Sequence, residues 1–281
     1  MRKILLFALT ALIMGIAACG AGSKKGDKKI TIAYVNWAEG VAMTQLAKNI
    51  LEKKGYTVTL KNADVAPVFA AVAGGDADIF LDTWMPVTHH NYMETFGDKV
   101  TILNTNFNGA RIGLVVPDYV AVNNITELNS AKDKLGGHIV GIDAGAGIMG
   151  KAEEAVNAYQ LDYQLQSSSE AAMMATLKKS IDEKQPIVIT GWAPHWMFSR
   201  YKLRFLEDPK KVFGETEKIQ TIANNEFSIA DTVAVSFFRK FQLNGEQMGS
   251  LMGVLADADG KEDAAISEWI KNNRELVGSW E

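Results

Sequence analysis

The sequence predicts an α/β fold of two similar lobes between which the chain passes twice. Short β-branched runs alternate with helical patterns, as in strand–helix–strand units. The alternation also occurs twice in register: Gly40-Val41-Ala42 is matched by Gly147-Ile148-Met149, 107 residues on, and Trp84 by Trp192, 108 residues on. Finally, each copy closes on an apolar strand that ends in Trp-x-Pro, at residues 78–86 and again at 187–194. A repeat of this size is a duplication at domain scale, not a solenoid period.

The elements follow in order. A strand at 30–35 leads into the turn Asn36-Trp37-Ala38-Glu39-Gly40, and Val41, Leu46, Ile50 and Leu51 then mark one helical face that stops at Gly55. A strand at 57–60, an Ala-rich helix at 65–72 ended by Gly74-Gly75, and the strand 78–81 that feeds Trp84 complete the first copy. A short strand at 100–103 precedes Asn108-Gly109, a turn signal, and 111–117 reads as a separate strand ended by Pro117. The second copy has a strand at 138–142, a Gly-rich turn at 143–147, a helix from 148 to 159, a strand at 163–165, a helix at 170–179 and the strand 187–190 that feeds Trp192. Asp208-Pro209 signals a turn, 219–222 a strand, and 231–243, 246–255 and 263–276 helices. No third Trp-x-Pro unit occurs there, so these helices are expected to return to the first lobe. The resulting division is 30–109 for the first part of lobe 1, 110–215 for lobe 2 and 216–281 for the return to lobe 1. Two crossings between lobes make a hinge.

Composition sets the outer limits. The 281 residues, 47% hydrophobic and 22% charged, are enough for two real cores. A formal charge of −4 argues against nucleic acid or an anionic membrane surface as partner. At the N-terminus Arg2 and Lys3 precede an apolar run at 4–16 that is too short to span a bilayer, which reads as a signal peptide over 1–18. Its removal takes away Arg2 and Lys3 and no acid, leaving 27 basic against 33 acidic residues, or −6. Ile16-Ala17-Ala18-Cys19 resembles a bacterial lipobox, so Cys19, the single cysteine, is the expected lipidation site and 19–29 a Gly/Lys-rich tether. The membrane is then met through the lipid alone, on the outer face of a bacterial membrane.

The paired tryptophans indicate the chemistry. A quaternary ammonium has no N–H to donate, and aromatic faces attract its diffuse charge by roughly 0.5–2 kcal/mol per ring. Trp84 and Trp192 at matched turns supply two walls, and Trp37 on the first Gly turn a third. Trp196, Trp269 and Trp280 read as packing. Gly40-Val41 opens a helix whose free N–H groups can take an anion, and Gly147-Ile148 repeats the arrangement. A cation box beside such amides describes a zwitterionic betaine. His195 either donates to the ligand carboxylate or stabilises its turn. Glu39, Asp82 and Asp143 are acceptors near the box that would suit a hydroxyl-bearing ligand such as choline instead. No cofactor motif, nucleophile elbow, P-loop or HExxH spacing occurs. A hydrolytic metal site from His89, His195 and Asp82 is the remote alternative, with His89-His90 expected on a helix surface.

The segments VNWAEGVAMT (35–44), DTWMPVTHHNYM (82–93), GLVVPDYV (113–120), GIDAGAGIM (141–149) and TGWAPHWMF (190–198) resemble the glycine betaine-binding proteins of bacterial osmoprotectant ABC importers. The resemblance implies a periplasmic-binding-protein fold of type II-like form, a non-enzymatic monomeric receptor, and delivery of a trimethylammonium ligand to a permease driven by its ATPase. It implies that Trp84 and Trp192 box the ammonium while the amides of Gly40-Val41 hold the carboxylate. Some members take a third aromatic and a carboxylate-binding His from the C-terminal region, but 223–246 here contains neither Trp nor His. Choline-binding relatives use a Trp at the position of Trp37. Carnitine and proline betaine are further ligands of the same class.

Overall fold

The computed structural model describes residues 28–280. The signal segment, Cys19 and nearly all of the tether lie outside the described residues. Strands β1 (Lys29–Tyr34), β2 (Thr57–Asn62) and β3 (Ile79–Met85) alternate with helices α1 (Ala38–Lys53) and α2 (Val65–Gly74). Helix α3 (His90–Phe96) leads to the long strand β4 (Val100–Pro117). The second half contains α4 (Lys132–Leu135), β5 (His138–Val140), α5 (Gly147–Ala158), β6 (Gln164–Gln166), α6 (Glu170–Asp182), β7 (Ile189–Ala193), α7 (Met197–Arg200) and β8 (Leu203–Phe205). Strand β9 (Glu217–Asn224) is followed by α8 (Phe227–Ala230), α9 (Thr232–Lys240), α10 (Gly245–Ala256), α11 (Glu262–Asn272) and α12 (Arg274–Ser279).

The strands run in the order β2-β1-β3-β9-β4-β7-β5-β6, with β8 also on β4. β1, β2 and β3 are parallel, as are β5, β6 and β7, which is the grammar of the two copies. Strand β4 belongs to both halves. Up to Ala110 it pairs antiparallel with β9, and from Arg111 onward with β7 and β8. Sequence reading placed a turn at Asn108-Gly109 and two separate strands, but the strand is continuous. Gly109 takes φ +82 and the register with β9 shifts between Asn108 and Ala110, so the Asn-Gly signal marks a bulge that bends the strand rather than ending it.

Helix α1 buries Ala42, Met43, Leu46, Ala47, Ile50 and Leu51 against the first sheet, and α10 and α11 pack on it from the other side. Helices α10 and α11 thus pack against the helix of the first strand–helix–strand unit. Trp269 and Trp280 are buried, Trp280 against Phe237 and Phe241. Helix α5 packs on β4, β6 and β7. The two Trp-x-Pro turns lie at the ends of β3 and β7, and both prolines follow cis peptide bonds. Among the described residues no helix is long and apolar enough to cross a membrane.

Candidate functional site

The two Trp-x-Pro turns and the first turns of α1 and α5 meet between the lobes around a small cavity. Trp37, Trp84 and Trp192 all line it, and all three are buried. The three expected walls are therefore in one place. Two of their indole N–H groups donate to carboxylates: Trp84 Nε1 to Asp82 Oδ1 at 2.8 Å and Trp192 Nε1 to Glu39 Oε2 at 2.7 Å. The second bond joins the lobes, because Glu39 rides on α1 and Trp192 on β7. Glu39 itself lines the cavity. Burial, reinforced by the charges of Asp82 and Glu170, holds its carboxyl well above the usual carboxylate range. Asp82 does not line the cavity but lies behind Trp84, and burial pushes it up to about 7.

The anion end differs from the sequence expectation. The amides of Gly40-Val41 do not face the cavity: Val41 N–H donates to Trp37 O at 2.8 Å, and Gly40 packs so tightly on Asp82 that a Cβ there would lie 2.6 Å from Oδ2. The start of α1 is already filled by the protein's own acids, since Ala38 N–H donates to Glu170 Oε2 at 3.0 Å and Glu39 sits in the first turn. Helix α5 is the opposite case. Its N-cap is Ala146, its first turn has no acid, and Gly147 and Ile148 line the cavity. The first N–H groups of a helix have no intrahelical acceptor, so these two are free to meet an anion. Asp143 lies upstream of this turn, half-buried and away from the cavity lining.

His89 is the residue that sequence reading placed elsewhere. Expected on a helix surface, it is fully buried and lines the cavity, stacked on Trp37 at 5.8 Å between ring centroids. Its Nδ1 accepts from Trp84 N–H at 2.9 Å, and burial lowers its pKa to about 3. A neutral ring that accepts at Nδ1 carries its proton on Nε2. That Nε2–H has no hydrogen-bond partner among the described residues, although a buried donor without an acceptor is costly. His90, its neighbour, stays on the surface beside Glu94. The signal available in the sequence was position: His89 follows Trp84 by five residues, as His195 follows Trp192 by three.

Of the two roles open to His195, its contacts take the turn. Nδ1 accepts from Met197 N–H at 3.0 Å and Nε2 lies 3.1 Å from Glu170 Oε1, while the ring edge abuts Trp192 at 4.8 Å. His195 braces the wall from behind and does not line the cavity. With His89 and His195 committed to separate turns, the remote metal site with Asp82 does not assemble. Among the described residues no group of three His, Cys, Asp or Glu is placed to hold a metal.

Closure is tight at the anion end. A Cβ on Gly147 would lie 1.9 Å from Thr88 O, so only glycine lets these backbones approach. The Val87-Thr88 turn is held for that approach by buried Glu217, which accepts from Val87 N–H and Thr88 N–H, each at 2.8 Å, and from the Thr88 hydroxyl. Tyr92 Oη donates across the gap to Gly145 O at 2.9 Å. Thr88, Ile112, Ile142 and Ala146 complete the lining. Thr88, Ile142 and Ala146 fall within the segments DTWMPVTHHNYM and GIDAGAGIM but are not among the site residues expected from the sequence, and Ile112 falls outside them.

Residues 28–272 match the family model described as the substrate binding domain of ABC-type glycine betaine transport systems, OpuAC. This chain belongs to that family. The OpuAC family is one of substrate-binding receptors of ABC transporters, not of enzymes. The chain is 45% identical over 145 residues to the glycine betaine/carnitine transport binding protein GbuC of Listeria monocytogenes, a match covering 50% of this chain and 48% of that protein. It thus spans about half the length of that curated relative. It is similar over 90% of its length to lactococcal OpuAC, crystallised closed and complexed with glycine betaine, at 35% identity and a TM-score of 0.85 over 99% of that chain. It is likewise similar, over 90% of its length, to the glycine betaine/L-proline-binding protein ProX of Borrelia burgdorferi, at 34% identity and a TM-score of 0.86 over 96% of that chain. The two-lobed α/β fold is that of periplasmic binding proteins of the OpuAC type.

Proposed function

We propose that this protein is the extracytoplasmic receptor for glycine betaine of an ABC importer. One observation carries the reading. The same cavity is lined by three tryptophans, by His89, whose Nε2–H has no partner among the described residues, and by Gly147 and Ile148 at the start of α5. A trimethylammonium needs polarisable faces and no donor, and a carboxylate needs donors and no charge-rich rings. Glycine betaine places the two groups one methylene apart. The glycine betaine bound to the closed lactococcal relative supports the same reading.

The ligand first meets one lobe, and closure about β4 and β9 brings Trp192 and α5 over it. In that scheme 30–109 and 216–281 move as one lobe and 110–215 as the other. Closure removes water and strengthens each electrostatic contact. A permease with its ATPase would take the closed form. Cys19 would carry the lipid that keeps a monomeric receptor at the outer face of the membrane. Choline is the second reading, favoured by Glu39, whose carboxylate in the cavity is an acceptor for a hydroxyl. Carnitine and proline betaine share the cationic end.

Calorimetric titration of the protein lacking residues 1–19 with glycine betaine, choline, carnitine, proline betaine and proline tests this. Saturable binding led by glycine betaine is expected, with proline weakest. Silence toward every quaternary ammonium compound overturns the reading, and a clear preference for choline replaces it with the second.

A further inference from the structure

The walls of the cage are wired to buried charge. Trp84 and Trp192 each donate an indole N–H to a carboxylate, Asp82 and Glu39 respectively, and both acids are 1% exposed. Among the described residues neither has a Lys or Arg partner. Asp82 Oδ2 has no hydrogen-bond partner among the described residues, and a Cβ at Gly40 would press on it. The third acid nearby is Glu170 on α6, which faces Ala38 N–H and His195. The basic groups on the surrounding elements are His195, paired with Glu170, and His89, held neutral by burial. Glu217 on β9 is engaged by the Val87-Thr88 turn. Buried carboxylates without a counter-charge are expensive to keep, and burial accordingly pushes Asp82 up to about 7 and Glu39 well above its ordinary range.

Resting on the reading that the cavity takes a quaternary ammonium, we infer that Asp82 and Glu39 are specificity-determining residues, the counter-charge that makes the cage prefer a cation to a neutral group of the same shape. A methylated ammonium has no N–H with which to meet a carboxylate directly. An indole whose N–H is given to an anion passes part of that negative charge to its ring faces, where the cation sits. Trp84 and Trp192 are wired in this way; the indole N–H of Trp37 has no partner among the described residues. The same pair resists closure of an empty cleft. Without a ligand, drying Glu39 beside Asp82 favours uptake of a proton from solvent, whereas a bound cation lets the pair stay ionised. Each unit by which the cation returns a carboxyl toward its ordinary range is a tenfold gain in affinity.

The test compares glycine betaine with tert-butylacetate, its isostere in which carbon replaces the nitrogen, on the wild-type protein and on Asp82→Asn and Glu39→Gln. Both substitutions keep an oxygen acceptor for the indole and remove the charge. The wild-type preference for betaine should fall by at least about tenfold in each variant, because betaine weakens while tert-butylacetate does not. A distorted pocket loses both ligands together and leaves the ratio in place. An unchanged ratio in both variants, with betaine still bound by the wild type, overturns this inference alone. A wild type that binds no betaine overturns the proposed function, and this inference falls with it.

Discussion

Replacing Gly147 with alanine should disable the site without unsettling the fold. Gly147 opens α5 on one lobe and Thr88 ends the turn after β3 on the other, and a Cβ would lie 1.9 Å from Thr88 O and 2.7 Å from Thr88 C. Carbon and oxygen that are not bonded need more than 3 Å, so the lobes must stay apart by over an ångström at this point. That gap takes Ile148 and Gly147 N–H groups out of reach of a carboxylate seated on His89, and lifts Trp192 from the cation. One charge-assisted hydrogen bond is worth about 1.5–3 kcal/mol and one aromatic wall about 0.5–2 kcal/mol. Their loss is about 2–5 kcal/mol, a weakening of glycine betaine binding between roughly thirtyfold and several thousandfold. Stability should hold or rise, because alanine is the better helix former and Gly147 has no need of a positive φ. Calorimetry reads the affinity, small-angle scattering with saturating betaine reads the closure, and thermal unfolding reads the fold. Gly150→Ala, with nothing within 4 Å of its Cβ, is the control. Wild-type affinity in Gly147→Ala would show that the cleft does not close here on its ligand, and would refute the reasoning.

Three further outcomes follow from the same geometry. His89→Ala removes the donor aimed at the ligand carboxylate, so glycine betaine should weaken by about 1.5–3 kcal/mol in parallel titrations while choline, which has no carboxylate, loses less; equal losses would return His89 to a purely structural role. Glu217→Gln leaves the Val87-Thr88 turn short of an acceptor, and a cost of about 2 kcal/mol should lower Tm by about 4–8 °C in a thermal scan. In the ligand-free protein Asp82 keeps its proton up to about 7 while the unfolded chain loses it near 3.8, so its contribution to stability is full at acid pH, declines as pH rises through that window and is lost above 7. Asp82→Asn should flatten that fall in Tm between pH 4 and 7, and an unaltered profile would place the titration elsewhere.

The tryptophan walls were legible because they depend on local order. A strand that ends in Trp-x-Pro puts its indole at the sheet edge wherever the chain goes next, and matched register said that two such edges face one another. The choice of helix terminus was not local. Whether the start of α1 accepts an anion is decided by Glu170, 132 residues away, which takes the Ala38 N–H and leaves that terminus already negative. His89 was misplaced for the same reason: its burial depends on Phe69, Phe80 and Trp37, brought from three other elements. Asn108-Gly109 carries the same dipeptide whether it turns a hairpin or bulges a strand, and only β9, more than 100 residues later, decides between them.

The duplication then accounts for the polarity of the site. Both copies present a helix start and a Trp-x-Pro turn, so an unmodified pair would offer two anion sites and two cation walls. The helix terminus of the first copy is cancelled by its own Glu39 and by Glu170 of the second copy, and Glu39 also accepts from Trp192. The second copy has kept its terminus bare, with Ala146 as cap and no acid in the first turn. Each copy also turns its turn histidine to a different end. His195 is consumed at both nitrogens behind its tryptophan, whereas His89 is consumed at one, has no partner for the other among the described residues, and lines the same cavity as the bare terminus. Divergence at Glu39, Glu170, His89 and Ala146 thus separates the charges of a symmetric cleft into a cation end and an anion end. A reciprocal change tests that account: Ala146→Asp should cap α5 and place a carboxylate at its bare terminus, raising stability by about 1 kcal/mol while weakening glycine betaine far more than choline. Equal weakening of both ligands would mean that the carboxylate end lies somewhere other than α5.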